Sequence, residues 1–394
     1  MTDFYAEAQK LFAYSQAMRR DLHMHPELGF KEVRTSGIIA KELRDLGLEI
    51  NTGIAQTGVI GLIEGKNPGP VIMLRFDIDA LPINEQTGAE YASQNPGIMH
   101  ACGHDGHVAI GLTVAHLLND HRDEINGTVK LVFQPAEEGM GGAERMIQDG
   151  ALQGPSPVHS LGLHIWNDQP IGWLGIAAGP VMAGAGIFKI TITGKGGHGA
   201  SPHLAVDPVL AAAQIVSAAQ SIVARNIDPQ KAGVVSITTI HGGDTFNVIP
   251  QQVEMTGTIR YFDVEIRELL YKRLEQVAHS LAEGLGCQAG IDIQDLTPAV
   301  VNDPKVTQVV RDAAQATLPG HNIDERGHFT MGSEDFAFFQ QKIPGTYFMV
   351  GSNDVGKGLN YGHHHPKFDF DEAVLPRAAG LMAAAAVELL NKSR

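Results

Sequence analysis

Gly179-Pro180-Val181-Met182-Ala183-Gly184-Ala185-Gly186-Ile187-Phe188-Lys189-Ile190-Thr191-Ile192-Thr193 is the stretch at which this chain changes character. Gly186–Thr193 reads as a strand. Downstream follow a helix over Asp207–Ala224, strands over Gly233–His241 and Gln252–Tyr261, a helix over Val264–Glu283 and a strand over Gln288–Leu296. That β-α-β-β-α-β order is a ferredoxin-like unit of about 110 residues. Upstream the pattern is different. Apolar positions recur at helical spacing from about Ala6 to Arg20 and from Thr35 to Leu46. Short apolar runs at Val59–Ile63, Val71–Phe76, Val129–Phe133 and Leu161–Ile165 then flank a helix predicted over His107–Asn119. Alternation of this kind indicates an α/β domain with a largely parallel or mixed sheet. Beyond Thr297-Pro298 it resumes, ending in a helix at about Asp371–Leu390. The expected organisation is an α/β domain built from 1–180 and 297–394, interrupted by a smaller α+β domain at 181–296.

A chain of 394 residues is too long for one simple core and suits two domains. Its 43% hydrophobic and 19% charged residues exclude a disordered or fibrous protein. The net charge of −15 argues against nucleic acid or an anionic membrane as partner, since either requires a basic stripe. An anionic small molecule stays open, because metals or arginines can invert the field inside a cleft. The N-terminal Met1-Thr2-Asp3-Phe4-Tyr5-Ala6-Glu7 shows no basic segment followed by an apolar run. The apolar stretches Val209–Ala219 and Ala378–Leu390 read as too short and too broken to span a bilayer. With only Cys102 and Cys287, a disulfide framework is not expected, and the cytoplasm is the expected compartment.

Histidine is the anomaly, with 18 in the chain. Met99-His100-Ala101-Cys102-Gly103-His104-Asp105-Gly106-His107 packs a thiol, three imidazoles and a carboxylate ahead of a helix. Cys102 and His104 can both turn toward one ion, and thiolate with imidazole suits zinc or a neighbouring first-row metal. A buried cysteine among solvated histidines is the competing account. Gln134-Pro135-Ala136-Glu137-Glu138-Gly139 stands where the strand Val129–Phe133 runs out. Ligands gather at the carboxyl ends of strands in α/β sheets. Adjacent side chains on an extended segment point apart, so one carboxylate can bind metal while its neighbour acts as general base. A solvated acidic loop would look the same. His164 closes another apolar run, and His363, His364 and His365 precede Pro366. In Leu74-Arg75-Phe76-Asp77-Ile78-Asp79-Ala80-Leu81-Pro82, Asp77 can hold a ligand histidine by its second ring nitrogen or simply pair with Arg75.

From Arg20-Asp21-Leu22-His23-Met24-His25-Pro26-Glu27-Leu28-Gly29 to His364-His365-Pro366-Lys367-Phe368-Asp369-Phe370, the chain resembles the M20 metallopeptidase family. The likeness is to its amidohydrolase branch of hippurate hydrolases, N-acyl-amino-acid amidohydrolases and auxin-conjugate hydrolases. The resemblance implies a zinc-peptidase-like α/β/α catalytic domain with an inserted ferredoxin-like lid or dimerisation domain. It implies two divalent ions (zinc, manganese, cobalt or nickel) held by Cys102, His104, Glu138, His164 and His364, with Glu137 as general base. His364 is chosen among its neighbours by the family's His-Ser/Asn-Pro pattern, in which His365 here takes the middle place. Other branches carry a His-x-Asp ligand where this chain reads Arg75-Phe76-Asp77, and Cys102 serves instead. Gly194-Lys195-Gly196-Gly197-His198 resembles the segment whose histidine stabilises the oxyanion, usually in a partner subunit, so a homodimer or homotetramer is expected. Asn247 and Arg260 match residues that hold the substrate's carboxylate.

The implied reaction is cleavage of an N-acyl amino acid to acid plus amino acid. A dipeptidase, carboxypeptidase or aminobenzoyl-glutamate hydrolase of the same family is the alternative. Gly194-Lys195-Gly196-Gly197-His198-Gly199 also fits G-x-G-x-x-G. However, Ser201-Pro202 intervenes before the next helix, and the first acidic residue at the right distance, Asp228, is in a loop. No G-x-S-x-G elbow supports a serine hydrolase. A silent binding protein on a decayed hydrolase conflicts with the presence of every proposed ligand and the base.

Overall fold

The computed structural model describes residues 2–393, which divide into two compact units. Of these the first comprises residues 2–181, 301–329 and 335–393, the second residues 182–300 and 330–334.

The first unit is organised by a mixed eight-stranded sheet. At its centre the strands Asn126–Gln134, Asn67–Asp77, His159–Pro170 and Gly345–Asn353 run parallel, in that order. Gly58–Glu64 and Glu49–Ile54 extend one side antiparallel, and the short strands Trp173–Gly175 and Asn322–Asp324 extend the other. Period-two alternation puts Ile72, Leu74 and Phe76, Val129, Leu131 and Phe133, and Leu161, Leu163 and Ile165 into one core. Helices His104–Asp120 and Val374–Lys392 share that core. The intervening Met73, Arg75, Lys130, Val132, Gln134 and Ser160 are buried as well, so both faces of the parallel strands are covered. The strands accordingly read as continuous apolar runs.

The structure extends several elements beyond their sequence signals. The helix expected over Ala6–Arg20 is two helices, Phe4–Lys10 and Phe12–Met24, meeting at Leu11. The final helix, expected at about Asp371–Leu390, starts and ends slightly later, at Val374–Lys392. It is apolar enough to cross a membrane by composition, but its side chains are buried in this core.

In the second unit Gly184–Thr193, Pro208–Asn226, Gly233–His241, Gln252–Tyr261, Val264–Gly284 and Gln288–Thr297 follow in β-α-β-β-α-β order. The strands form one antiparallel sheet with Gly233–His241 and Gln288–Thr297 at its edges. Asp207 starts the first helix by accepting the Val209 N–H at 2.8 Å, with Pro208 in the first turn. Ile190, Ile192, Met255 and Ile259 pack against Ile215, Ile222, Leu270 and Leu274. Residues 330–334, assigned to the first domain from sequence, group with this unit. Ala183 N–H donates to the Gly332 carbonyl at 3.0 Å, and Arg260 Nη1 donates to Ser333 Oγ at 3.1 Å.

Candidate metal centre

The carboxyl ends of the central strands and the start of helix His104–Asp120 converge on one cluster of donors. Cys102, His104 and His164 present ligand atoms within 4.8 Å of one another, and so do Cys102, Glu138 and His364, and His104, Glu137 and Glu138. The Cys102 Sγ to His164 Nε2 distance is 3.5 Å, and Glu138 Oε1 to His364 Nε2 is 3.2 Å. The buried His104 Nε2 has no hydrogen-bond partner among the described residues. Buried polar atoms are normally paired, so one aimed into a nest of thiol, imidazole and carboxylate suits a divalent first-row cation.

The surrounding hydrogen bonds set each imidazole's tautomer. His104 Nδ1 donates to the Asp79 carbonyl at 2.9 Å and lies 3.2 Å from its carboxylate, leaving Nε2 for the cluster. His164 Nδ1 donates to the Ile165 carbonyl at 2.5 Å, again leaving Nε2. His107 differs. Its Nε2 accepts the Ile165 N–H at 2.9 Å, so Nδ1 carries the proton and donates to Asp77 at 2.5 Å. With both nitrogens used, His107 has no lone pair for a metal, although it lies in a group with Asp77 and His104.

This corrects the expectation for Asp77. The ligand histidine is held by Asp79, which also accepts the Glu138 N–H at 3.0 Å. Asp77 binds His107 and the buried Arg75, whose Nη1 donates to it at 2.7 Å. The signal was two residues further along the same quoted motif: Asp79, just beyond the strand end at Asp77, meets His104 Nδ1, while Asp77 Oδ2 lies 3.8 Å from His104 Nε2.

The three consecutive histidines do three different things. His364, at φ 64, donates its N–H to the Ala101 carbonyl at 2.8 Å and points its ring at Glu138. His365 stacks on Tyr361 with ring centroids 4.6 Å apart. His363 packs beside Trp166 and Phe368 and accepts the Asn167 N–H at 3.2 Å on Nε2, so its Nδ1–H faces Cys102 Sγ at 3.9 Å. Sequence reasoning assigned His363 no role, because its neighbour across the fold, Asn167, is 196 residues away.

The field in the cluster is that of a cation trap. Burial pushes the Cys102 thiol well up, and the Glu138, Glu137 and Asp77 carboxylates push it further. Burial alone would lower His104, but Asp77 and Asp79 raise it to about 10. Burial holds His164 well down, which keeps its imidazole neutral. The negative charge that favours a proton on these groups equally favours a metal ion, and binding one releases the thiol proton.

The Glu137-Glu138 turn is held tightly. Ala136 lies at φ 56, and the Gly142 N–H donates to its carbonyl at 3.1 Å. A Cβ on Gly142 would sit 1.7 Å from the Pro135 carbonyl oxygen. Gly142→Ala is therefore expected to cost on the order of 1–3 kcal/mol. A lowered denaturant midpoint would show it; an unchanged midpoint would mean that the turn opens freely.

His198, Asn247 and Arg260 belong to the second unit. His198 and Val248 are paired across a two-residue ladder, and Gly199 N–H donates to the Asn247 carbonyl at 2.8 Å. His198 Nδ1 accepts the Ala200 N–H at 3.0 Å, so a neutral ring carries its proton on Nε2. Arg260 is half-buried, and burial lowers its pKa.

Residues 73–388 match the model of peptidase family M20/M25/M40. The chain belongs to this family. N-acetylcysteine deacetylase of Bacillus subtilis is 43% identical over 375 residues, covering 95% of this M20 chain and 96% of that protein. Thermostable carboxypeptidase 1 of Saccharolobus solfataricus is 42% identical over 95% of each chain. IAA-amino acid hydrolase ILR1-like 4 of Arabidopsis thaliana is 39% identical over 98% of this chain and 88% of that one. Among solved structures, the Bacillus subtilis YXEP protein, described as a dinuclear metal-binding peptidase of family M20, matches with a TM-score of 0.86. It is 39% identical over 97% of this chain and 99% of that one. The M20 chain thus falls in the family's amidohydrolase branch and is a hydrolase acting on amides.

Proposed function

We propose that the protein is a metal-dependent amidohydrolase that splits N-acyl amino acids into a carboxylic acid and a free amino acid. The observation that carries this reading is the Glu137-Glu138 turn, which sets a second carboxylate beside donor groups sharing Cys102. The relatives named as deacetylase and IAA-amino acid hydrolase support it. Cys102, His104, Glu138, His164 and His364 would hold two divalent ions, as the dinuclear YXEP protein does. Zinc, manganese, cobalt and nickel all suit these donors. When bound, such ions polarise the amide carbonyl and make a water acidic enough to lose its proton near neutral pH.

Glu137, within 4.8 Å of the His104 and Glu138 ligand atoms, takes the attacking water's proton and returns it to the departing nitrogen. His198, a donor through Nε2, is our choice to stabilise the oxyanion. Asn247 and Arg260 are our choice for the substrate's carboxylate, Arg260 through its two-pronged guanidinium. In the family such a histidine usually serves a partner subunit, which favours a homodimer or homotetramer. Two free cysteines agree with a cytoplasmic setting.

A second reading, carboxypeptidase action, is favoured by the 42% identity to the Saccharolobus enzyme. Its scissile bond is also the amide of an amino acid with a free carboxylate, so the two readings differ only in the acyl group. The deciding test is release of free amino acid from hippurate, N-acetyl amino acids and an N-blocked dipeptide. Protein loaded with each metal in turn would be compared with a chelated control. Chelator-sensitive release from the first two supports the amidohydrolase, and release from the dipeptide alone supports the peptidase. Silence on all three with metal bound would refute both.

A further inference from the structure

Glu32 is fully buried, 104 residues before the turn it touches, and lies outside the donor cluster. Its Oε1 accepts the Ala136 N–H at 3.0 Å, and its Oε2 accepts Thr57 Oγ1–H at 2.6 Å. Ala136 is the residue before Glu137 and adopts φ 56, a left-handed conformation that the Cβ of an L-residue disfavours. Its N–H is buried and so requires a partner. The strand leading to it ends in Gln134-Pro135, and Pro135 has no N–H to help fix the turn. Gly29 comes so close that a Cβ there would lie 3.1 Å from Ala136 Cα, which leaves a side chain arriving from Glu32 as the clamp.

We propose that Glu32 is a positioning residue whose carboxylate holds Ala136 left-handed, so that Glu137 and Glu138 leave the strand end aimed at the metal centre. The inference rests on the roles given above to Glu137 and Glu138. With no exposed surface, Glu32 cannot touch substrate; it acts through the backbone of residue 136. A carboxylate suits the task because hydrogen bonds to an ionised acceptor are about twice as strong as neutral ones. The Thr57 hydroxyl anchors the carboxylate, so the turn cannot rotate without breaking the Ala136 amide bond to an acceptor that is itself held in place.

The test is a cycle of full-length variants: Glu32→Ala, Glu32→Gln, Ala136→Gly and the Glu32→Ala/Ala136→Gly double. kcat, KM, bound metal and melting temperature would be measured for each, on whichever N-acyl amino acid the wild type cleaves. Glu32→Leu, which keeps the volume, replaces Glu32→Ala where the cavity unfolds the chain. Glu32→Ala should lower kcat roughly tenfold to a hundredfold with KM nearly unchanged. Glu32→Gln, which still accepts the amide, should restore most of it. Glycine adopts positive φ without strain, so Ala136→Gly should recover several-fold of kcat in the Glu32→Ala background but none in the wild type. Wild-type kcat in Glu32→Ala, or independent multiplication of the two effects, overturns the proposal. Loss of activity in Glu137→Gln with no effect of Glu32→Ala defeats this inference alone. Full activity of Glu137→Gln defeats the reading beneath it.

Discussion

Glu137→Gln is expected to lower kcat by roughly 10²- to 10⁴-fold, the usual share of a positioned proton-transfer group, while the protein keeps its metal. The amide has the carboxylate's shape but cannot accept a proton from water and deliver it to a leaving nitrogen. Metal retention is expected because Cys102 groups with His104 and His164, and with Glu138 and His364, without Glu137. Glu137 also lies in a group with His104 and Glu138, so metal content is the discriminating measurement. Loss of turnover together with loss of metal would make Glu137 a ligand. Turnover near the wild-type rate would remove it from the chemistry.

Arg19→Met is the substitution expected to cost most stability. The Arg19 guanidinium is completely buried and donates to Asp105 at 2.9 Å, Asp369 at 2.7 Å and Glu372 at 3.3 Å. It also stacks on Tyr91 and Phe370. It thereby joins the helix Phe12–Met24 to the first turn of His104–Asp120 and to the segment after His364. Removing it takes from Asp105, Asp369 and Glu372 a buried cation that His23 and Arg20 replace only in part, which costs about 3–5 kcal/mol. Lysine would not replace it, because one ammonium cannot match three carboxylates in a plane.

The pH dependence follows from Asp105. Burial alone would raise its pKa, but Arg19 and His23 overcome that and hold it far below the usual carboxylate range. A depressed folded pKa contributes stability above the unfolded value of about 3.9 and loses it as pH falls toward the folded one. In Arg19→Met the depression rests chiefly on His23, so the gap to the wild type should hold between pH 7 and about 4 and narrow below that. Chemical denaturation at several pH values measures it. A gap below about 1 kcal/mol at pH 7 would mean that the carboxylates find other partners.

The β-α-β-β-α-β unit was legible because its strands are half-buried and its turns carry Pro and Gly, as at Asp207-Pro208. The central parallel strands were legible as apolar runs but not as an order, since which strand neighbours which is decided by long crossovers that carry other elements. Gly345–Asn353 beside His159–Pro170 is such a case. The expected donors are brought together by the structure near the ends of the central strands and the start of His104–Asp120, with His164 inside the strand His159–Pro170 and His364 in the loop before the last helix, and each is a residue type with few other reasons to be there. What the motifs did not show is who holds them. Asp79 in place of Asp77, His107 consumed by a backbone amide and Glu32 beneath Ala136 depend on side-chain direction at strand ends. Residue type is blind to that direction.

The two units differ in how their chain is laid down. Nearly all of the second unit is one continuous stretch, residues 182–300, so its sheet and both helices are made before the chain returns to the first unit. The first unit is in three pieces, and one of the helices against which its central strands are buried, Val374–Lys392, lies in the third of them. Its nascent strands from Asn67 onward must therefore wait, with part of their apolar face uncovered, until that third piece emerges. That interval is when such a chain is most exposed to wrong pairing. Deletion of Val374–Lys392 would leave the first unit without its closing piece.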